Sequence, residues 1–103
     1  MEITWHAHHA VISDRLRRKA EVALECLGKR LDRVVNATVR FEREETRCRV
    51  ELLLTAPRRR PIVAEGHGRY YGPALALALT HLERQVSAER RTARDRARAS
   101  VRR

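Results

Sequence analysis

The chain is short of aromatic side chains. Its 103 residues include one Trp, one Phe and two Tyr, so no row of exposed rings is on offer for stacking successive bases. That argues against a reader of single strands built on an aromatic sheet. Cysteine is nearly as scarce. Cys26 and Cys48 are the only two, without CxxC spacing, and both fall at apolar-phase or near-core positions. Buried free thiols are expected, rather than a disulfide or a metal site. No run approaches the roughly 18 apolar residues of a membrane span. The opening residues, Met1 to Trp5, lack the charged-then-apolar pattern of a signal peptide. The expectation is a cytoplasmic protein with no membrane partner.

Catalytic equipment is also missing. No glycine-rich phosphate loop occurs. Ser13 reads as a helix cap, Ser87 and Ser100 lie on a basic helix, and none sits beside an evident base and orienting group. His6, His8 and His9 cluster, but no carboxylate or cysteine follows at a spacing that would complete a metal site. A small enzyme or a metal-binding protein using these histidines is the outlying possibility. The expectation is a non-enzyme with no catalytic residues, no metal, no cofactor and no small-molecule substrate.

What the chain has is positive charge. Lys and Arg number 23 against 13 acids, a formal net charge of +10. From Arg69 onward nine arginines face three acids, a net +6 that leaves +4 for the first 68 residues. The last third reads as one amphipathic helix. At 100° per residue Tyr71, Leu75, Leu79, Leu82, Val86, Ala93 and Ala97 share one side, and Arg84, Arg91, Arg94, Arg98 and Arg102 the other. Pro73 suits a first helical turn. The spacing predicts a helix from about Gly72 to Ala97, the first half packed on a core and the second projecting charge. Arginines sharing one stripe favour a polyanionic partner, with contacts to phosphates of structured RNA read mainly by shape.

The rest of the chain supplies the core. Glu2 to His6 alternates as a short strand with Ile3 and Trp5 on one side. Ser13 and Asp14 open a helix. Its apolar stripe is Leu16, Ala20, Ala23, Leu24, Leu27 and Leu31. Arg15, Arg18, Lys29 and Arg33 lie opposite, and a stop is expected between Gly28 and Asp32. Two alternating strands follow, Val35–Phe41 and Cys48–Leu54, each wet on one side. Ala56-Pro-Arg-Arg-Arg-Pro61 is a turn, Ile62 to Glu65 a fourth strand, and Gly66-His-Gly68 leads into the long helix. The order β-α-β-β-β-α predicts an α+β two-layer sandwich, a four-stranded sheet with two helices on one face. Residues 1–92 form a single domain, and 93–103 a basic C-terminal extension, either a helix end or a tail. Leu24, Leu27, Val50, Leu52, Leu79 and Leu82 are expected in one core.

Several strings in this order resemble one family. They are His9-Ala-Val-Ile-Ser-Asp-Arg-Leu-Arg17 opening the first helix, Leu24 to Leu31 with Lys29 near its end, Ala64-Glu-Gly66, Tyr71 in the first turn of the second helix, and Leu82-Glu-Arg-Gln-Val86. Together they resemble the ribosome hibernation-promoting factor and ribosome-associated inhibitor A family, also called sigma-54 modulation proteins, in its short form. The match covers about residues 2–92. It implies a fold similar to a double-stranded-RNA-binding domain. It also implies a stress-response translation inhibitor that binds the small ribosomal subunit and its rRNA near the decoding centre, storing idle 70S ribosomes. By the same resemblance, rRNA contacts would come from Arg18, Lys29, Arg30 and Arg33 on the first helix, and from Arg84, Arg90, Arg91 and Arg94 on the second. His81 and Ala88 stand where the family is often basic, which moves the charge toward the C-terminus. The alternative reading is a general structured-RNA-binding protein, or RNA chaperone, on the same fold.

Overall fold

Ser13 starts the first helix as its sequence predicts: its hydroxyl accepts from Leu16 N at 3.2 Å, and Asp14 sits in the first turn. A computed structural model describes residues 1–31, 34 and 36–101. The elements run β1 (Glu2–His8), α1 (Asp14–Lys29), β2 (Asn36–Arg43), β3 (Cys48–Thr55), β4 (Ile62–Gly68) and α2 (Tyr71–Val101). The four strands form one sheet in the order β1-β2-β3-β4. The sheet is mixed. β2, β3 and β4 form an antiparallel meander, whereas β1 pairs parallel to β2, Glu2 opposite Asn36 through His8 opposite Glu42. A parallel pair needs a crossover, and α1 is that crossover.

The alternation in each strand selects the buried face. Ala37, Val39 and Phe41 of β2, Cys48, Val50, Leu52 and Leu54 of β3, and Ile62 and Ala64 of β4 are all buried. They meet Ala20, Leu24, Leu27 and Leu31 of the α1 region and Ala74, Leu75, Ala78, Leu82 and Val86 of α2 in one core. Trp5 stacks on Phe41 at a centroid distance of 6.4 Å, and Tyr71 meets the same ring edge-on at 5.8 Å.

Two expectations need correction. Leu79 is only partly buried against the core, because the helix rotates it toward the rim. Cys26 is exposed while Cys48 is buried. Cys26 lies one residue off the α1 stripe, and the 100° step carries it out of the contact. Ala93 and Ala97 are exposed, in line with the second half of the helix projecting charge, because α2 has left the sheet by that point. The elements are also longer than the apolar pattern alone indicates: β1 continues to His8, β4 to Gly68 and α2 to Val101.

α2 is the dominant element. Its 31 residues extend roughly 46 Å at ~1.5 Å per residue. β4, on which it lies, has seven residues and spans only about 23 Å at ~3.3 Å each. The helix therefore overshoots the sheet, and the molecule measures 55 × 24 × 19 Å. Val86 is its last buried side chain before residue 99, and Ala88 through Arg98 are all exposed.

Candidate nucleic-acid interface

α2 runs back along β4, as two hydrogen bonds show. The His81 ring nitrogen Nδ1 lies 2.8 Å from Glu65 O, and Gln85 Nε2 donates to Val63 O at 2.6 Å. These i, i+4 side chains satisfy outward carbonyls of the β4 edge, which would otherwise be open to a further strand. One more helical turn carries the chain past the start of β4, beside the turn Ala56–Pro61. The C-terminus of α1 reaches the same end of the sheet.

Here the structure gathers cations from three elements. Arg30, Leu31, Arg59, Glu89, Arg90, Ala93 and Arg94 line one cleft. Arg30 caps α1, with its backbone N–H directed to Leu27 O and Gly28 O. Its side chain crosses to α2, donating to Ser87 Oγ at 3.0 Å and lying 3.7 Å from Glu83. Arg90 and Arg94 follow from α2, one turn apart. Of the residues expected from the sequence, then, Arg30, Arg90 and Arg94 come together. Arg84 and Arg91 are exposed on α2 outside the cleft. Lys29 is exposed at the end of α1, beside Met1, Glu25, Gly28, Leu31 and Val34. Arg18 lies on the far side of α1 with Asp14, Arg17, Glu21, Val22 and Glu25. Arg33 is outside the described residues.

Arg59 is the residue that sequence reading missed. Three consecutive arginines between Pro57 and Pro61 were the available signal, but a turn reads as solvent until its neighbours are known. Arg58 takes a left-handed conformation, φ 61°, which turns the chain after Pro57. Arg58 and Arg60 are exposed, whereas Arg59 is half-buried and its Nη1 is buried without a hydrogen-bond partner.

The outer face of the sheet is electrostatically different. Arg49 lies 2.6 Å from both Glu51 and Glu65 and 3.2 Å from Glu42. The Glu51 hydrogen bond leads in raising its guanidinium above its ordinary range. In return the Arg49 hydrogen bond holds the Glu65 carboxyl below its usual value. Arg47 binds Glu44 at 2.7 Å and likewise lowers that carboxyl. On this face Arg47 and Arg49 are matched by acids, while Arg40 is exposed. His6 and His8 project at the β1 end of it, and among the described residues no three His, Cys, Asp or Glu side chains gather as a metal site.

The model of the sigma 54 modulation protein / S30EA ribosomal protein family matches residues 3–94. The chain belongs to this family. Solved structures share its fold. A ribosomal subunit interface protein from Coxiella burnetii superposes with a TM-score of 0.73 at 22% identity, over 86% of this chain and 97% of that one. The N-terminal domain of Thermus thermophilus Protein Y gives 0.70 at 24% identity, over 84% and 96% respectively. No curated protein sequence matches. The family match begins in β1 and ends at Arg94, so it takes in α1, α2 as far as Arg94, and every cation of the cleft. Among the described residues no helix is long and apolar enough to cross a membrane.

Proposed function

We propose that this protein is a cytoplasmic translation inhibitor that binds the small ribosomal subunit through rRNA, occupies the decoding region and stores idle ribosomes. Residues 1–92 are the ribosome-binding domain, and 93–103 are a basic C-terminal extension. The reading rests on family membership and on one structural observation: the two faces of the molecule carry their arginines differently. On the sheet side Arg47 and Arg49 are neutralised by carboxylates. On the helical side Arg84, Arg90, Arg91 and Arg94 project without ion pairs among the described residues. A free guanidinium releases counterions when it meets a phosphate, whereas one already held by carboxylates must first break those contacts.

Lysate sedimentation is the direct test. The protein should travel with small-subunit and 70S peaks, most strongly in stationary phase; recovery only with free RNA would favour a general RNA chaperone. A salt titration then locates the surface. Exchanging Arg84, Arg91 and Arg94 for Gln should weaken ribosome binding and flatten the log–log salt dependence by about 0.7–0.9 per lost contact. The matched control is Arg40, Arg47 and Arg49 to Gln, which removes the same charge from the sheet side. Equal losses from both triples would mean that a diffuse field, and not the helix, does the binding.

A further inference from the structure

The cleft at the end of the sheet differs from the rest of the basic surface. Its walls come from the α1 cap, the β3–β4 turn and α2, so four arginines from three separate stretches of sequence line one space. Arg30, Arg59, Arg90 and Arg94 stand against a single lining acid, Glu89. The cleft measures about 230 Å³, room for a tetrahedral oxyanion and several waters at ~30 Å³ per water.

Two of the four cations are held in place before any ligand arrives. Arg30 is tethered to Ser87 Oγ at 3.0 Å. Arg59 sits on a turn stiffened by Pro57 and Pro61, with Arg58 at φ 61°. A non-glycine residue in that region carries strain that the surrounding structure must maintain. The Arg30 side chain and the backbone that carries Arg59 are therefore ordered in the folded protein, which lowers the cost of binding. Arg59 also has an unmet requirement. Its Nη1 is buried with no partner, and a charged donor removed from water without a hydrogen bond is unfavourable. An oxyanion in the cleft compensates the charge of the same guanidinium through its accessible edge, Nη1 itself being closed to solvent, and offsets the mutual repulsion of the four cations. The guanidinium fork matches a phosphate's paired oxygens, which a lysine ammonium does not.

We propose that this cleft is a discrete seat for one phosphate group, with Arg59 as its specificity-determining residue. The inference deepens the proposed function, since an RNA backbone phosphate is one source of the group; a free phosphate is the other.

The test uses the full chain in two arms. In the first, inorganic phosphate is titrated at constant ionic strength, balanced with chloride, and followed by NMR of the arginine Nε–H signals. Saturable shifts confined to Arg30, Arg59, Arg90 and Arg94 are expected. They should vanish in Arg59→Gln, stay weak in Arg59→Lys, and persist in Arg60→Gln, which removes the same charge from an exposed position on the same turn. In the second arm, small-subunit binding is measured at fixed salt. If the seat holds an RNA phosphate, Arg59→Gln should cost about tenfold or more, the scale of a hydrogen bond to a charged group, and Arg60→Gln far less. A response in the phosphate arm alone assigns the seat to a free phosphate. That arm also stands if the protein proves not to bind ribosomes at all, so the two readings fail separately. Indistinguishable behaviour of Arg59→Gln and Arg60→Gln in both arms would overturn the seat and leave a diffuse basic surface.

Discussion

Leu79 and Leu82 are one helical turn apart, yet only Leu82 is fully covered; Leu79 packs at the edge of the core. Truncating a fully buried leucine removes transfer energy and leaves a cavity, at about 2–5 kcal/mol. Leu82→Ala should fall in that range by urea denaturation. Leu79→Ala should cost clearly less, since solvent already reaches its side chain. Equal losses would show that Leu79 is buried in solution. The arginines make the same point about residue identity. Arg49 is enclosed by three glutamates, Arg84 projects freely, and Arg59 is half-buried with a nitrogen unpartnered. Identical side chains are enclosed by carboxylates, contact solvent, or line a cleft according to their neighbours alone.

The element that sets the architecture is the α2–β4 pair. The helix lies so close to the strand at Gly66 that a Cβ there would collide with Ala74 O and come within 2.5 Å of Ala78 N. Both are helix backbone, so no side-chain rotation relieves the clash. Gly66→Ala should therefore destabilise the fold by about 1–3 kcal/mol or more, the cost of overpacking a filled contact. A thermal melt checks this, and a wild-type midpoint would mean that α2 sits farther from the sheet. Close contact at Gly66 also brings His81 and Gln85 to the strand edge, and it aims the remainder of α2 beyond the sheet. A methyl group here would thus disturb the direction of the basic helix as well as the core.

At the scale of the whole molecule, charge differs by face: Arg47 and Arg49 are ion-paired on the sheet side, whereas Arg84, Arg90, Arg91 and Arg94 of α2 are without ion pairs among the described residues. The sheet network has a pH signature. The Glu44 and Glu65 carboxyls are held below their ordinary 4.5 by Arg47 and Arg49 respectively. A depressed carboxyl contributes stability that is fully present above its unfolded value and lost as pH falls through the folded one. Stability should therefore be flat from neutral pH to about 4.5 and decline below it. Both carboxyls are exposed, so the effect is modest and screened by salt. Urea midpoints of wild type and Arg49→Gln at pH 7 and pH 3 test the assignment. The gap between them should narrow at pH 3; a constant gap would mean that Arg49 acts through packing alone.

The amino-acid order by itself determined the elements, because period-2 and period-3.6 patterns are local. Alternation around Val39 and Val50 marks half-buried strands, Ser13 caps a helix through its own hydroxyl, and thinning of the apolar stripe after Val86 foretells where α2 leaves the core. Local strings also sufficed for the family, since His9–Arg17 and Leu82–Val86 are contiguous. Tertiary structure decided what depends on distance between elements. The parallel pairing of β1 with β2 follows from the α1 crossover, the exposure of Cys26 and the rim position of Leu79 from the rotation of each helix against the sheet. The cleft exists only because α2 is longer than β4 and passes the β3–β4 turn. Arg30, Arg59 and Arg90 are separated by about thirty residues each, and no periodicity links them. Their meeting is a consequence of how a long helix lies on a short strand.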